Sequence, residues 1–253
     1  MTIAAQAERT AHRLPVDCHR RQPAAQVSLV AFAHAGGGPL TFQRWAGALA
    51  PEVELWGVTL PGRARRRREP FAREWTPLVD ELVDAILRDV PTPIALLGHS
   101  LGALLAFEVA RGLTRARVPP THLFVSGRAA PETAPVIELP ETDGELLRQI
   151  DLLYGGVPDG VRASPEVLAH FLPILRADLE LAATYAVRPG VTLTCPITAI
   201  TGAADLIAPP ARLDGWRGRT DAGCEVCVLP GGHFYLVDQE PTVLAKIRSC
   251  LVR

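Results

Sequence analysis

Residues 96–102 read Leu-Leu-Gly-His-Ser-Leu-Gly, which places a serine between two glycines at the end of an apolar run. The run PIALLG (93–98) predicts a buried strand, and LGALLAFEVARGL (101–113) predicts a helix that begins directly after Ser100. Between a strand and a helix, the pattern G-x-S-x-G forms a sharp turn that presents a nucleophile. The alternative is a glycine-rich turn whose serine caps the helix, and the rest of the chain must distinguish the two.

Predicted strands and helices alternate along the chain. Apolar runs recur as VSLVAFAH, VELWGVTL (53–60), PIALLG, HLFVSG (122–127), CPITAITG (195–202) and CEVCVLPG (224–231). Helical patterns separate several of them, for example WTPLVDELVDAILRDV (75–90). Strands that are apolar throughout are typical of a mostly parallel sheet with helices on both faces. The sequence therefore predicts an α/β fold.

The segment 131–190 interrupts this alternation. It has no strong strand pattern, and its helical patterns are GELLRQIDLL and SPEVLAHFLPILRADLELAATY. An insertion of this length between two core strands is commonly a lid or a binding element. We expect a loose leader over residues 1–24, with one edge strand near its end, and a single domain over 25–253 that contains the helical lid.

Composition indicates an ordinary globular chain. The 253 residues include 26 basic and 27 acidic side chains, so the net charge of -1 gives no argument for nucleic-acid or membrane binding. Five scattered cysteines and the lack of a signal-peptide pattern predict a cytoplasmic location. Cys224 and Cys227 have C-x-x-C spacing without a second ligand pair, so we interpret them as buried strand residues and expect neither a metal nor a cofactor.

Two residues near the C-terminus could activate the serine. A serine nucleophile needs a base and an orienting acid, which in this fold class follow it in the order acid, then histidine. His233 follows the last predicted strand in LPGGHFYL, and Asp205 follows the preceding strand in TGAADLIAP. Each alone could be a packed histidine or a capping aspartate. Their order and their places at strand ends predict a catalytic set of Ser100, Asp205 and His233.

An oxyanion formed at this serine would need two backbone N–H donors. One is expected from Leu101, the residue after the serine, at the start of a helix. The other is expected from the HAGGG loop (34–38), where Ala35 or Gly36 would donate and Ala35 is preferred. The alternative for this loop is a flexible turn.

Seven motifs occur in an order that resembles the type II thioesterases of polyketide synthase and nonribosomal peptide synthetase systems. They are LVAFAHAGGG, LPGR, LLGHSLGALLAFEVAR, VSGRAAP, RADLELAATY, CPITAITGAAD and LPGGHFYL. The similarity runs from about residue 26 to the C-terminus. It implies an α/β-hydrolase fold with a helical lid, in which Ser100, Asp205 and His233 match the family triad and HAGG matches its oxyanion loop. Leu101 stands where members often have Met, and only its amide is needed.

The resemblance also implies a function. A stand-alone serine thioesterase would hydrolyse acyl groups from the phosphopantetheine arms of carrier proteins, and so remove aberrant or stalled units. Its partners would be carrier domains of a synthase, and it would need no cofactor, since the phosphopantetheine belongs to the substrate. Alternatives are a chain-releasing thioesterase or acyltransferase of the same fold acting in trans, and a binding protein on a hydrolase scaffold.

A basic cluster follows LPG in a predicted surface loop. Because carrier proteins are typically acidic, it could dock a carrier, and the alternative is a solvated loop without a partner. The cluster consists of Arg63, Arg65, Arg66, Arg67 and Arg68.

Three further polar residues are expected to be structural. His99 and His34 are interpreted as packed or hydrogen-bonded side chains beside the nucleophile turn and the glycine loop. Asp178, in RADLEL, either contacts substrate or holds the lid helices together, and the second interpretation is favoured.

Overall fold

A seven-stranded sheet forms the centre of the protein. The computed structural model describes residues 15–132, 138–187 and 190–252. The strands lie in the order β1-β3-β2-β4-β5-β6-β7, and every neighbouring pair is parallel except β1 with β3. They are β1 Val16–Cys18, β2 Val27–Phe32, β3 Val53–Val58, β4 Ile94–His99, β5 His122–Ser126, β6 Ile197–Gly202 and β7 Cys224–Leu229. The prediction of a mostly parallel sheet is confirmed, and β4 is its middle strand.

Helices cover both faces of this sheet, as predicted. In the described residues they are α1 Trp45–Leu49, α2 Trp75–Asp89, α3 Leu101–Arg115, α4 Asp143–Tyr154, α5 Asp159–Arg162, α6 Pro165–Ala183, α7 Tyr235–Asp238 and α8 Glu240–Leu251. None of the helices in these ranges is long and apolar enough to cross a bilayer.

The apolar strand runs follow from this two-sided burial. Successive side chains of a strand point to opposite faces of the sheet. In β4, Leu96 packs with α2 and α3 in one core cluster, whereas Leu97 packs with α1 and α8 in another. Both side chains are at most 1% exposed. Both faces of β4 are therefore buried, and this explains why its first four residues, 94–97, are all apolar and show no polar alternation.

The edge strand β1 lies within the segment predicted as a leader. It pairs antiparallel with β3 in a register that matches Val16 with Val58 and Cys18 with Trp56. The Val16 side chain is 1% exposed and belongs to the same core cluster as α2. Residues 1–14 of the predicted leader lie outside the described residues.

The described parts of segment 131–190 contain three helices, α4, α5 and α6. Residues 133–137 and 188–189 lie outside the described ranges. The lid has a small apolar core of its own, against which Ala35 of the glycine loop packs. Its buried members are Leu146, Ile150, Val157, Leu175 and Leu179. Packing of these residues therefore joins the helices to each other and to the loop after β2.

Candidate active site

Ser100 occupies a strained turn between β4 and α3. Its φ of 57° and ψ of -116° are rare for a residue with a side chain. The Ser100 N–H donates to the carbonyl oxygen of Ser126 at 2.8 Å, which ties the turn to β5. A Cβ on Gly98 would collide with the backbone of Gly102, and one on Gly102 with the carbonyl oxygen of Phe32. The close approach of α3 to β4 and β2 therefore requires both glycines.

Asp205 and His233 form a buried pair beyond the carboxyl ends of β6 and β7. His233 Nδ1 lies 2.9 Å from Asp205 Oδ2, and the two residues are 4% and 2% exposed. A carboxylate can only accept, so Nδ1 carries the hydrogen and Nε2 of the neutral ring is left as an acceptor. Nε2 is buried and has no hydrogen-bond partner among the described residues. It is therefore available to take a proton from a nucleophile.

The Asp205 carboxylate is held in its ionised form. The backbone N–H groups of Ile207 and Ala208 donate to Oδ1 at 2.9 and 3.0 Å. Burial alone raises the pKa of Asp205, but the hydrogen bond from His233 and these two amides outweigh it and hold the pKa below its usual value. The acid can thus orient the imidazole and stabilise it when it becomes charged.

A cavity of about 410 Å³, including its open mouth, lies in front of this pair. Ser100 and His233 both line it, together with apolar side chains from the lid. The Tyr154 ring packs edge-on against His233, with the ring centroids 4.9 Å apart. Phe171 and Leu175 of α6 also line the cavity. Sequence reasoning placed Phe171 and Leu175 only in a helical lid pattern and did not single out Tyr154, because nothing local indicates which lid side chains face the serine.

Ala35 and Leu101 carry the two backbone amides that the sequence predicts as oxyanion donors. Within the described residues, neither the N–H of Ala35 nor that of Leu101 has a hydrogen-bond acceptor. Ala35 lines the same cavity as Ser100, and Leu101 is the first residue of α3. The Gly36 N–H instead donates to Asp178 Oδ2 at 2.8 Å. The expectation that Gly36 could be the donor is therefore corrected, because its amide is already occupied, and Ala35, the preferred candidate, keeps an N–H without an acceptor in the described residues.

His99 and His34 are buried polar neighbours of the serine. Burial, with the adjacent His233 and His34, holds the pKa of His99 well below its usual value, and Nδ1 of His99 pairs with Ser126 Oγ at 2.8 Å. Burial also lowers the pKa of His34, and its Nδ1 donates to the carbonyl oxygen of Ala35 at 2.9 Å. Both rings are therefore neutral groups that make local hydrogen bonds.

Two of the five clustered arginines are buried, contrary to the expectation of a surface cluster. Arg63 is 5% exposed and binds Asp178 through two contacts of 2.6 and 2.5 Å. Arg66 is 3% exposed and donates to Glu69 and Glu81 at 2.6 Å each. Neither guanidinium is presented to solvent, because each is needed to compensate carboxylates at the base of the lid and on α2.

The other three members of the cluster differ in exposure. Arg65 is half-buried and forms an ion pair with Asp17 next to β1. Arg67 and Arg68 are exposed, and neither forms a salt bridge within the part of the chain that the structure describes. Only these two residues retain the character of a free basic surface.

The described residues contain no group of three or more His, Cys, Asp or Glu side chains that could hold a metal ion. Cys224 and Cys227 lie on β7, as expected, but they are half-buried because β7 is an edge strand.

Comparison with known proteins identifies relatives over nearly the whole chain. A family model described as "Thioesterase domain" matches residues 27–251. Thioesterase PikA5 of Streptomyces venezuelae is 39% identical over 223 residues, which cover 86% of this chain and 78% of that protein. The human medium-chain S-acyl fatty acid synthase thioesterase is 32% identical over 255 residues, with coverages of 97% and 95%. The structure of the type II thioesterase BorB, from the borrelidin biosynthetic cluster, superposes with a TM-score of 0.86 at 34% identity and covers 94% and 98% of the two chains.

Proposed function

This chain belongs to the thioesterase family, and from that premise we propose that it is a type II thioesterase acting in trans during polyketide or nonribosomal peptide biosynthesis. Its substrates are acyl groups on the phosphopantetheine arms of carrier proteins. The observation that carries the proposal is the buried Asp205–His233 pair, whose free Nε2 lies with Ser100 at a lid-covered apolar cavity. The similarity to a discrete type II thioesterase over 94% of the chain supports action in trans.

The first half-reaction transfers the acyl group to the serine. Ser100 Oγ attacks the thioester carbonyl carbon while its proton passes to Nε2 of His233. Asp205 keeps the ring oriented and stabilises its positive charge. The N–H groups of Leu101 and Ala35 stabilise the negative carbonyl oxygen of the tetrahedral intermediate. When this collapses, the carbon–sulfur bond breaks and His233 returns the proton to the leaving sulfur, which departs as a thiol.

The second half-reaction releases the acyl group as an acid. A water molecule gives a proton to His233 and attacks the acyl-serine carbonyl carbon. The ester bond then breaks, and the Ser100 oxygen recovers its proton from His233. The acyl group leaves as a free carboxylic acid, and Ser100 is ready to attack another thioester. The same two amides stabilise both tetrahedral intermediates.

The experiment that tests this function is hydrolysis of a panel of acyl-carrier proteins that range from short acyl units to a complete chain. We expect release of free acids from short, stalled units. Preferential release of the complete chain would favour a chain-releasing thioesterase, and transfer to an added amine or alcohol instead of water would favour an acyltransferase. If an active-site serine probe fails to label Ser100 and no acyl group is released, the chain is a binding protein on this scaffold.

The lid side chain Phe171 is expected to limit the length of the acyl group. It is half-buried on α6 and lines the cavity next to Ser100. Phe171→Ala would enlarge the cavity, so we expect kcat/KM for a longer acyl thioester to rise about tenfold relative to a short one, since each buried methylene adds ~1 kcal/mol or more. Val167→Ala is the matched control, because Val167 lies one turn earlier on α6 and is 47% exposed. An unchanged preference in the Phe171 variant would contradict this assignment.

Arg67 and Arg68 are the part of the basic cluster that could dock an acidic carrier, since both are exposed. Long-range attraction acts mainly on the association rate and weakens as salt is added. Replacing both with Ser should lower kcat/KM for acyl-carrier proteins about tenfold at low salt and flatten its salt dependence. Hydrolysis of a small acyl thioester without a carrier should be unchanged.

A matched control for this test replaces Arg115 and Arg117 with Ser. Both are exposed at the end of α3, about 20 Å along the helix from Ser100 at 1.5 Å per residue. The control should leave the activity on carriers as it is. If the Arg67/Arg68 variant behaves like the control, carriers dock elsewhere. If its kcat/KM falls equally for acyl-carrier proteins and for the small thioester, the loop supports the fold.

A further inference from the structure

Hydrogen bonds within the glycine loop after β2 fix the direction in which the Ala35 N–H points. The carbonyl oxygen of His34 accepts from the Gly37 N–H at 2.9 Å. Because a trans peptide is planar, this bond turns the N–H of Ala35, in the same peptide, to the opposite side. The next peptide is held at both ends, since its carbonyl accepts from the His34 ring at 2.9 Å and its N–H, from Gly36, donates to Asp178 at 2.8 Å.

A buried ion pair supplies two of the anchors of this loop. The Arg63 guanidinium binds both carboxylate oxygens of Asp178, and its Nη1 also donates to the carbonyl oxygen of Gly37 at 2.9 Å. The side chains of Arg63 and Asp178 are 6% and 5% exposed. A charge-assisted pair with a fork geometry, shielded from water, constrains its neighbours more than a surface pair does. The peptide units around Ala35 are thus held by the side chains of Arg63 and Asp178, which the ion pair keeps in place.

Asp178 belongs to the lid, whereas the loop and Arg63 belong to the core. It lies on α6 between side chains that cover the cavity. The same helix packs on the loop through Phe171 and Leu175, whose atoms would lie 2.7 and 3.4 Å from a Cβ placed on Gly36. With a φ of 77°, Gly36 also has a backbone conformation that disfavours a side chain. Packing against α6 and the hydrogen bond to the Asp178 carboxylate therefore hold the glycine loop in its conformation.

We propose that Asp178 and Arg63 are positioning residues for the oxyanion hole, so that Ala35 is correctly aimed only while lid helix α6 is docked on the glycine loop. The lid then does more than cover the acyl group, because its undocking removes an oxyanion donor. This inference rests on the proposed thioester hydrolysis. It adds that lid position and transition-state stabilisation are coupled through one carboxylate.

Two variants test the proposal. Arg63→Leu with Asp178→Leu replaces a buried ion pair by apolar side chains, an exchange that often preserves folding while it removes the hydrogen bonds. We expect kcat to fall about 100-fold, the loss typical of a missing oxyanion donor, with KM changed less than about threefold. Arg63→Lys keeps the charges paired but loses the fork, so a loss of about tenfold in kcat is expected.

The matched control replaces Arg73 and Glu180 with Leu. These two residues also form an ion pair between the core and α6, where Glu180 lies two residues after Asp178. Their side chains are 60% and 40% exposed, and among the described residues neither hydrogen-bonds to the glycine loop. This variant should keep the kcat of the wild type. It therefore separates a general loosening of the lid from the loss of the loop anchors.

A readout on the oxyanion hole itself comes from an alkyl boronic acid. Ser100 Oγ adds to boron, its proton passes to His233, and a boron-bound oxygen occupies the oxyanion position, so binding should weaken by about the same factor as kcat. The proposal would be overturned if either variant folds and keeps both the kcat and the boronic acid affinity of the wild type. If the double variant does not fold, the Arg63→Lys variant alone decides. Wild-type protein that binds the boronic acid but cleaves no acyl-carrier protein would refute the proposed function and not this coupling.

Discussion

Ser100→Ala is expected to lower kcat at least about 10⁴-fold, because the change removes the nucleophile and leaves only binding and the oxyanion donors. Ser100 is 7% exposed and lines the cavity, and little packing is lost with one oxygen atom. The variant should therefore be folded, with a thermal unfolding transition close to that of the wild type. Steady-state hydrolysis of an acyl-carrier substrate measures the loss, and intact-mass analysis after incubation with substrate should show no acylated protein.

Ser126→Ala is the matched control for the nucleophile. It removes the same atom from a buried serine at the end of the neighbouring strand, where Oγ contacts His99 and Tyr235 and does not line the cavity. We expect its hydrolysis to stay within about tenfold of the wild type. Hydrolysis near the wild-type rate in the Ser100 variant would show that another group attacks the thioester.

Asp205→Asn is expected to lower kcat by about 10⁴-fold at neutral pH while KM changes little. An amide at this position can donate a hydrogen to Nδ1, which favours the tautomer with the proton on Nε2. In that tautomer His233 cannot accept the proton of Ser100. The amide oxygen can still accept from the N–H groups of Ile207 and Ala208, so the loop after β6 should keep its shape.

The same variant should change how stability depends on pH. The pKa of Asp205 in the folded protein is below its usual value. Its ionised form therefore stabilises the fold above the ordinary aspartate pKa of about 4, and this contribution is lost as the pH falls through the folded pKa. Asp205→Asn lacks this dependence, which unfolding curves between neutral and acidic pH would detect.

Asp221 and Asp238 provide matched controls, because both are exposed aspartates that follow Asp205 in the chain. Their Asn variants should hydrolyse the substrate at the wild-type rate. A loss below about tenfold in Asp205→Asn, with a large loss in one of these, would move the role of the acid to that residue.

The parts of the site that follow local rules could be predicted from the sequence. Gly98 and Gly102 are required by a turn of five residues, so their spacing alone indicates how closely α3 approaches the sheet. The positions of Asp205 and His233 also follow from chain order, because parallel strands place the loops after their carboxyl ends at one edge of the sheet. These inferences need only the identity of the strands.

The parts that depend on distant partners could not be predicted. Arg63 looked like a surface residue because its neighbours in sequence are arginines, and its carboxylate partner Asp178 lies 115 positions away. The amide of Gly36 looked free for the same reason, since its acceptor is on the lid. The hydrophobic pattern predicts the lid helices but not which face of each helix packs on the glycine loop. It therefore could not show that Phe171 lies against Gly36.

The strained backbone of Ser100 lowers the stability of the fold at the residue that catalysis requires. A non-glycine residue in so sparsely populated a conformation costs about 1–3 kcal/mol, in every molecule and whether or not substrate is present. Glycine at this position would avoid most of that cost, with only about 0.5–1 kcal/mol lost to the greater freedom of its unfolded chain. Selection of variants for heat resistance alone would therefore favour a chain without its nucleophile. A laboratory evolution of this enzyme towards higher temperature must score turnover at every round.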